Sequence, residues 1–466
     1  MLSKPPSARL YLLIPSYRRW VTPGMTELRI RIAGLTRDDL EIAGLIVTEQ
    51  DLDTGFTDRR PHRVDPLRAE ARLPIPNFHR NGQIRCSLVE RRTGREFANA
   101  SWRLIVKESG GLASMAHFTP RNVAVINNKL TYPKIWRPTD PKLQTSAIVP
   151  KLAEIAKAGF TGVLLDQRGL DLRELLEVAG AASDAMLDVI VSPFPSGKYD
   201  SERTLDQTAE RTRALRSSRG IGGYWFGFDD VDEPAIAELY RTVRSTDSKR
   251  FCLLPRSQFG PNDSTPGFQD VVALPVNPSE TSASFENAAD NGLVTFGEIR
   301  VHGAPETPAA KGPEPSETLT PREQFYRQLT AGSSGVLLSS SSLSPDDKSM
   351  ASLLRELEAI TPLLLHGRTI AWPASDEAKK ELDGQRISLW QRRDKNAFLL
   401  VAINQANDER QVSLPIPPGG SHLYVFGEDR ELTLESGRLK ETFQPLAVHV
   451  YTNDKELARS FPSRDN

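Results

Sequence analysis

Cysteine is nearly absent from this chain: Cys86 and Cys252 are the only two among 466 residues. They fall in stretches of different rhythm, so no disulfide framework is available to hold the fold. Histidine is sparse as well, with seven residues and no HExxH or Cys-paired spacing among them, which argues against a metal site. No Gly-rich loop of the phosphate- or dinucleotide-binding type occurs, and no cofactor is expected. An excess of one charge is also missing. Lys and Arg number 59 against 60 Asp and Glu, a balance that supplies no field for nucleic acid or an anionic membrane. No window of 18 apolar residues exists, so no membrane span is expected. The first twenty residues contain one short apolar core, Leu10–Ile14, too short for the apolar region of a signal peptide. The default expectation is a cytoplasmic protein, or an extracellular or periplasmic one if a leader precedes this sequence.

What is present is a succession of three rhythms, as the length requires more than one core. Residues 1–117 read as a β-sandwich. Leu28–Ile32, Gly44–Glu49, Arg85–Glu90 and Arg103–Val106 are short β-prone runs separated by polar, Gly- or Pro-bearing turns, and Leu73–Pro76 reads as an edge segment. From 118 to 367 short apolar runs alternate with helical periodicity. The runs are Val123–Ile126, Gly162–Leu165, Leu187–Val191, Gly222–Phe228, Phe251–Leu254, Val271–Leu274, Leu293–Phe296 and Val336–Leu338. Eight strand–helix units of this length predict a (β/α)8 barrel, with the fifth helix the weakest. Residues 368–466 return to β-rhythm and predict a second sandwich, from Arg386–Gln391 and Ala397–Asn404 to Ala447–Tyr451.

The pivot of the chain is Gly222–Pro234 (GGYWFGFDDVDEP). An aromatic run with the composition of a buried strand ends in Asp229, Asp230, Asp232 and Glu233, and a helical pattern follows at once. Acids at the C-terminal end of a barrel strand stand where such barrels keep their chemistry. The same residues also read as an ordinary helix start, with an Asp cap, an acid in the first turn and Pro near the first position.

Five segments resemble multidomain glycoside hydrolases of the β-galactosidase-like clan. They are Asn122–Pro133, Leu152–Leu165, Tyr224–Pro234, Thr320–Ser339 and Phe443–Tyr451. The resemblance implies a general acid/base after strand four and a nucleophile at the end of strand seven, which fall on Glu233 and Glu298 here. That pair suits a retaining hydrolase of an oligosaccharide or polysaccharide: one carboxyl donates to the leaving oxygen and the other attacks the anomeric carbon. Strand four reads two residues longer than the family pattern, which leaves Asp230 as the alternative acid/base. Strand eight ends in Ser339–Ser342 instead of sugar-supporting aromatics, and 302–317 forms a long Pro-rich loop.

Asp166 after strand two, Arg256 after strand five, Asn277 after strand six, Trp136 after strand one, and Asp230 with Asp232 are candidate contacts for sugar hydroxyls or a sugar ring. Each has a plainer reading. Asp166 and Arg256 suit rim ion pairs, Glu298 suits a pair with Arg300 or another base, Asn277 suits a turn, and Trp136 suits packing against the first sandwich. The serine run reads as loop. Two functions remain in view: a carbohydrate-cleaving barrel, and a degenerate one that binds glycan or a protein partner without hydrolysis.

Overall fold

The computed structural model describes residues 8–14, 17–22, 25–108, 116–119, 122–126, 129–139, 145–196, 199–228, 231–260, 268, 270–276, 281–290, 293–300, 319–340, 348–370, 372–373, 375–395, 397–418, 422–426 and 430–459. Asp229, Asp230, Asn277, the loop 302–317, Ser341 and Ser342 lie outside them.

The N-terminal strands alternate buried and exposed residues, as a half-buried sheet requires. Glu27–Ala33 points Leu28, Ile30 and Ile32 inward and lies between Arg9–Ile14 and the edge strand Glu70–Pro74. A five-stranded sheet faces it, ordered Trp20–Val21, Glu96–Val106, Asn81–Glu90, Ala43–Asp51, Thr57–Arg63. The two inner faces share one core, with Leu45, Val47, Ile84, Leu88 and Leu104 from the second sheet. This is the expected sandwich.

Eight parallel strands then close on themselves: β1 (Lys134–Pro138), β2 (Gly162–Leu165), β3 (Asp188–Val191), β4 (Ile221–Trp225), β5 (Phe251–Pro255), β6 (Val271–Pro275), β7 (Val294–Arg300) and β8 (Val336–Ser340), with β8 pairing back to β1. Beside a single turn at Thr145–Ile148, the helices between them and directly after the last are α1 (Leu152–Lys157), α2 (Leu172–Asp184), α3 (Ser201–Leu215), α4 (Glu233–Thr246), α5 (Thr281–Asp290), α6 (Pro321–Thr330) and α7 (Lys348–His366). Among the described residues no helix separates β5 from β6.

The first strand corrects the sequence reading. Val123–Ile126 is apolar but is not a barrel stave. Ala124–Ile126 pairs antiparallel with His117–Phe118 and Lys129–Thr131 in a small separate sheet. Phe118 and Ala124 pack with the inward side chains of the barrel, and the Phe118 ring lies 6.3 Å from that of Phe296. The true first stave, KIWRP, has two cations and a proline, a poor imitation of a buried strand. Its Lys134 and Arg137 are nevertheless buried. Strand four also stops earlier than expected, at Trp225. Phe226 and Phe228 then turn out to meet the Phe194 ring, at 4.9 and 4.5 Å.

After the barrel, a six-stranded antiparallel sheet runs in the order Arg368–Ile370, Ile387–Asp394, Ala397–Asn404, Val448–Thr452, His422–Val425, Glu431–Thr433. Arg410–Pro415 and Arg438–Phe443 form a two-stranded sheet against it. Ala397–Asn404 is apolar throughout because both its faces are covered. Phe398, Leu400 and Ala402 face the sandwich core, while Leu399, Val401 and Ile403 join the core of the barrel's helical layer.

Candidate active site

Side chains alternate across a strand, and this parity decides which residues reach the barrel interior. Ile135, Leu164, Phe296 and Leu337 point inward. Two residues further on stand Arg137, Glu298 and Ser339 in the same strands and Asp166 just past the end of β2, and they continue that inward face at the C-terminal end.

These four make one hydrogen-bonded group. Arg137 donates from Nε to Asp166 Oδ2 at 2.9 Å and from Nη1 to Glu298 Oε1 at 2.9 Å, and its Nη2 lies 2.8 Å from Asp166 Oδ2. Ser339 Oγ donates to the same Glu298 oxygen at 3.1 Å. Arg137 and Glu298 are buried, whereas the Asp166 side chain keeps 29% of its exposure. Burial disfavours the Arg137 charge, but Glu298 and Asp166 outweigh it and hold the guanidinium's pKa above its ordinary value. The guanidinium also lies 5.3 Å from the centroid of the Trp225 ring, within cation–π range.

A second pair stands across the mouth, after β4 and β5. Glu233 opens α4 and receives Arg256 Nη2 at 2.7 Å. This pair is wetter, with side chains 40% and 28% exposed. Asp232 is exposed, and its Oδ1 accepts the Ala235 N–H at 3.0 Å, the helix-cap role that its sequence context allowed.

Trp136 requires a correction. Parity turns it away from the interior, it is 1% exposed, and its Nε1 donates to Ser340 Oγ at 2.9 Å. It packs between barrel and helices, so no sugar ring can stack on it, and it does not contact the first sandwich core either. The serine run is corrected in part: Ser339 and Ser340 belong to β8, and each bonds a residue of the mouth or wall. Sequence reasoning passed over Arg137 and Ser339 as site residues. The signal was the two-residue step from Ile135 and Leu337, usable only once the strand limits are known.

The approach of α6 to β7 positions Glu298. A Cβ on Gly297 would lie 1.1 Å from Gln328 Oε1, so only glycine lets the helix sit this close. Gln328 is fully buried, and neither of its amide atoms has a partner among the described residues. Gly297→Ala is expected to push α6 outward and cost about 1–3 kcal/mol, the range for overpacking. A thermal melt unchanged from the parent would refute this tight contact.

Solved structures with this architecture exist. The similar chains include a cyclomaltodextrinase, 10% identical, covering 95% of this chain and 99% of that one at a TM-score of 0.54. They include an alpha-amylase from Geobacillus thermoleovorans complexed with acarbose (12% identity, 70% and 99% covered, TM-score 0.45). A GH30 endoxylanase from Clostridium papyrosolvens is a third (10% identity, 69% and 96% covered, TM-score 0.42). What the cyclomaltodextrinase shares with this chain is the fold. No family model matches the chain, and no curated protein matches it.

No helix among the described residues is long and apolar enough to cross a membrane.

Proposed function

We propose that the barrel is a glycoside hydrolase of the β-galactosidase-like clan that cleaves an oligosaccharide or polysaccharide with retention, using Glu298 as nucleophile and Glu233 as acid/base. The observation that carries this reading is the inward Arg137 that fixes Asp166 and Glu298 together at the C-terminal end of the barrel. A nucleophile of this kind attacks the anomeric carbon as a carboxylate held in one orientation. Arg137 and Ser339 both address Glu298 Oε1, which orients the carboxylate. In the first step Glu298 bonds to the anomeric carbon, the glycosidic C–O bond breaks, and the Glu233 proton goes to the leaving oxygen. In the second, Glu233 takes a proton from water, whose oxygen displaces Glu298. Asp166, Asp232 and Arg256 bind sugar hydroxyls around this centre, with Asp230 and Asn277 as further candidates.

A specific observation favours the second reading, binding of glycan without hydrolysis. Arg256 Nη2 occupies Glu233 Oε1 at 2.7 Å, a carboxyl oxygen that an acid/base must present to the leaving oxygen. Hydrolysis therefore requires that substrate displace Arg256. One experiment separates the two readings: a panel of aryl glycosides and oligosaccharides is tested for product release and, in parallel, for binding. Release that retains anomeric configuration and falls by about 10²–10⁴-fold in Glu233→Gln, the usual scale of general acid–base catalysis, supports the hydrolase. Binding without release by any panel member replaces it with the lectin-like reading.

A further inference from the structure

Away from the mouth, where α7 ends against the C-terminal sheet, a cavity of about 430 Å³ is lined by His366, Arg368, Ile370, Arg393, Asp394 and Lys395. Arg368 stands directly opposite Arg393 across an antiparallel pair, so the two side chains share one face. Like charges placed this way destabilise a sheet. Lys395 adds a third cation at the adjoining turn, where its backbone is left-handed at φ 50°. Asp394 is the one acid in the lining, which leaves an excess of two positive charges before His366 is considered.

The arginines are not equivalent. Arg393 is anchored: Nη2 donates to the Pro418 carbonyl at 2.5 Å and its guanidinium lies 5.7 Å from the Phe398 ring centroid. Its Nε is buried and has no partner among the described residues. Arg368 and Lys395 are exposed at the cavity rim. The arrangement therefore combines a concave space, a fixed guanidinium in its lining, and two exposed cations at its rim.

We propose that this cavity is a binding site for a tetrahedral oxyanion, phosphate or sulfate, either free or carried as an ester on a sugar. Such a group offers several acceptor oxygens to converging donors, and guanidinium forks match its geometry. Its charge also relieves the repulsion between Arg368 and Arg393. None of the six lining residues takes part in the site at the mouth, so the inference is independent of the reading given to that site.

The test is calorimetric titration of the whole chain with inorganic phosphate, inorganic sulfate and glucose 6-phosphate at one fixed ionic strength, which removes general screening. The same titrations are run on the double variant Arg368→Gln/Lys395→Gln. Both positions are exposed and Arg368→Gln removes half of the like-charged pair, so the variant is expected to keep its circular dichroism and to melt no lower than the parent. Saturable binding in the parent, weakened about tenfold or more in the variant, supports the site, as loss of a charged contact is worth about that factor. Equal binding of the free ions and the ester identifies the free anion as sufficient ligand, and binding of the ester alone identifies a phosphorylated sugar. Absence of saturable binding by all three probes, or equal affinity in parent and variant, overturns the proposal.

Discussion

Glu298→Gln is expected to lower turnover of a cleaved glycoside by roughly 10⁴-fold or more, the scale seen when a covalent nucleophile is removed, with little change in melting temperature. The shape of the site explains the second half of that expectation. Gln keeps the volume of Glu, and its carbonyl oxygen can still accept from Arg137 and Ser339, which both address Oε1. Arg137 keeps Asp166 as a counter-charge. Only the negative charge at the anomeric carbon is lost. Glu298→Ala separates a nucleophile from a group that merely stabilises positive charge. With an activated aryl glycoside, azide enters the space vacated by the carboxylate, bonds to the anomeric carbon and releases the phenolate, restoring aryl release with an inverted glycosyl azide as product. Full activity in Glu298→Gln would remove the assignment. Arg137→Lys should be damaging too, because a point charge cannot reproduce the fork that joins β2 to β7. A kinetic profile identical to the parent's in that variant would show that the fork does not orient Glu298.

The barrel was legible because seven of its staves are what buried parallel strands look like, short continuous apolar runs between helices. The eighth was not. KIWRP has the polar character of a functional site, and a local rule broken at such a place is where pattern reading fails. Val123–Ile126 satisfied the pattern and displaced it, since a short apolar run does not distinguish a stave from a small sheet packed beneath the barrel. The mistake then propagated by parity. With strand one misplaced, Trp136 fell at the mouth instead of in the wall, and the same period of two that buries it brings Arg137 inward. Glu298 and Glu233 were singled out through a resemblance in short motifs. Arg137, the partner of Glu298, was not, because the two are 161 residues apart, and no local periodicity records a contact of that span.

The largest effect on stability is expected away from the mouth, at Arg18. This residue and Arg19 hold left-handed backbone, at φ 50° and 52°, a strained turn that drives the Arg18 guanidinium under the barrel. There it bonds both oxygens of Asp270, the residue before β6, and also the carbonyls of Ser248 and Arg250, which precede β5. Tyr240 Oη and the Cys252 N–H complete the Asp270 carboxylate at 2.8 and 2.7 Å. Both charges are fully buried, so each depends on the other. Arg18→Met leaves an unpaired carboxylate in the interior and is expected to cost about 3–5 kcal/mol, a fall on the order of 10 °C in melting temperature. The pH dependence should change sign with it. In the parent, burial pushes the Asp270 pKa up, but Arg18 and the other donors more than compensate and hold it below its ordinary 3.8. Its stabilisation is therefore complete above about pH 4 and lost as the pH falls through the depressed value. Without Arg18, burial, the largest influence, is opposed only by Arg244, the Tyr240 hydroxyl and the Cys252 N–H, and the carboxyl is expected to bind a proton more readily folded than unfolded. The variant then gains stability from this group on acidification, and its deficit against the parent should narrow between pH 7 and pH 4.5. Adding Asp270→Asn to Arg18→Met should recover part of the loss, because the stranded charge goes with it. A deficit under 1 kcal/mol, or one that stays constant with pH and is deepened by the second substitution, would mean that the pair is not what fastens the N-terminal segment to the base of the barrel.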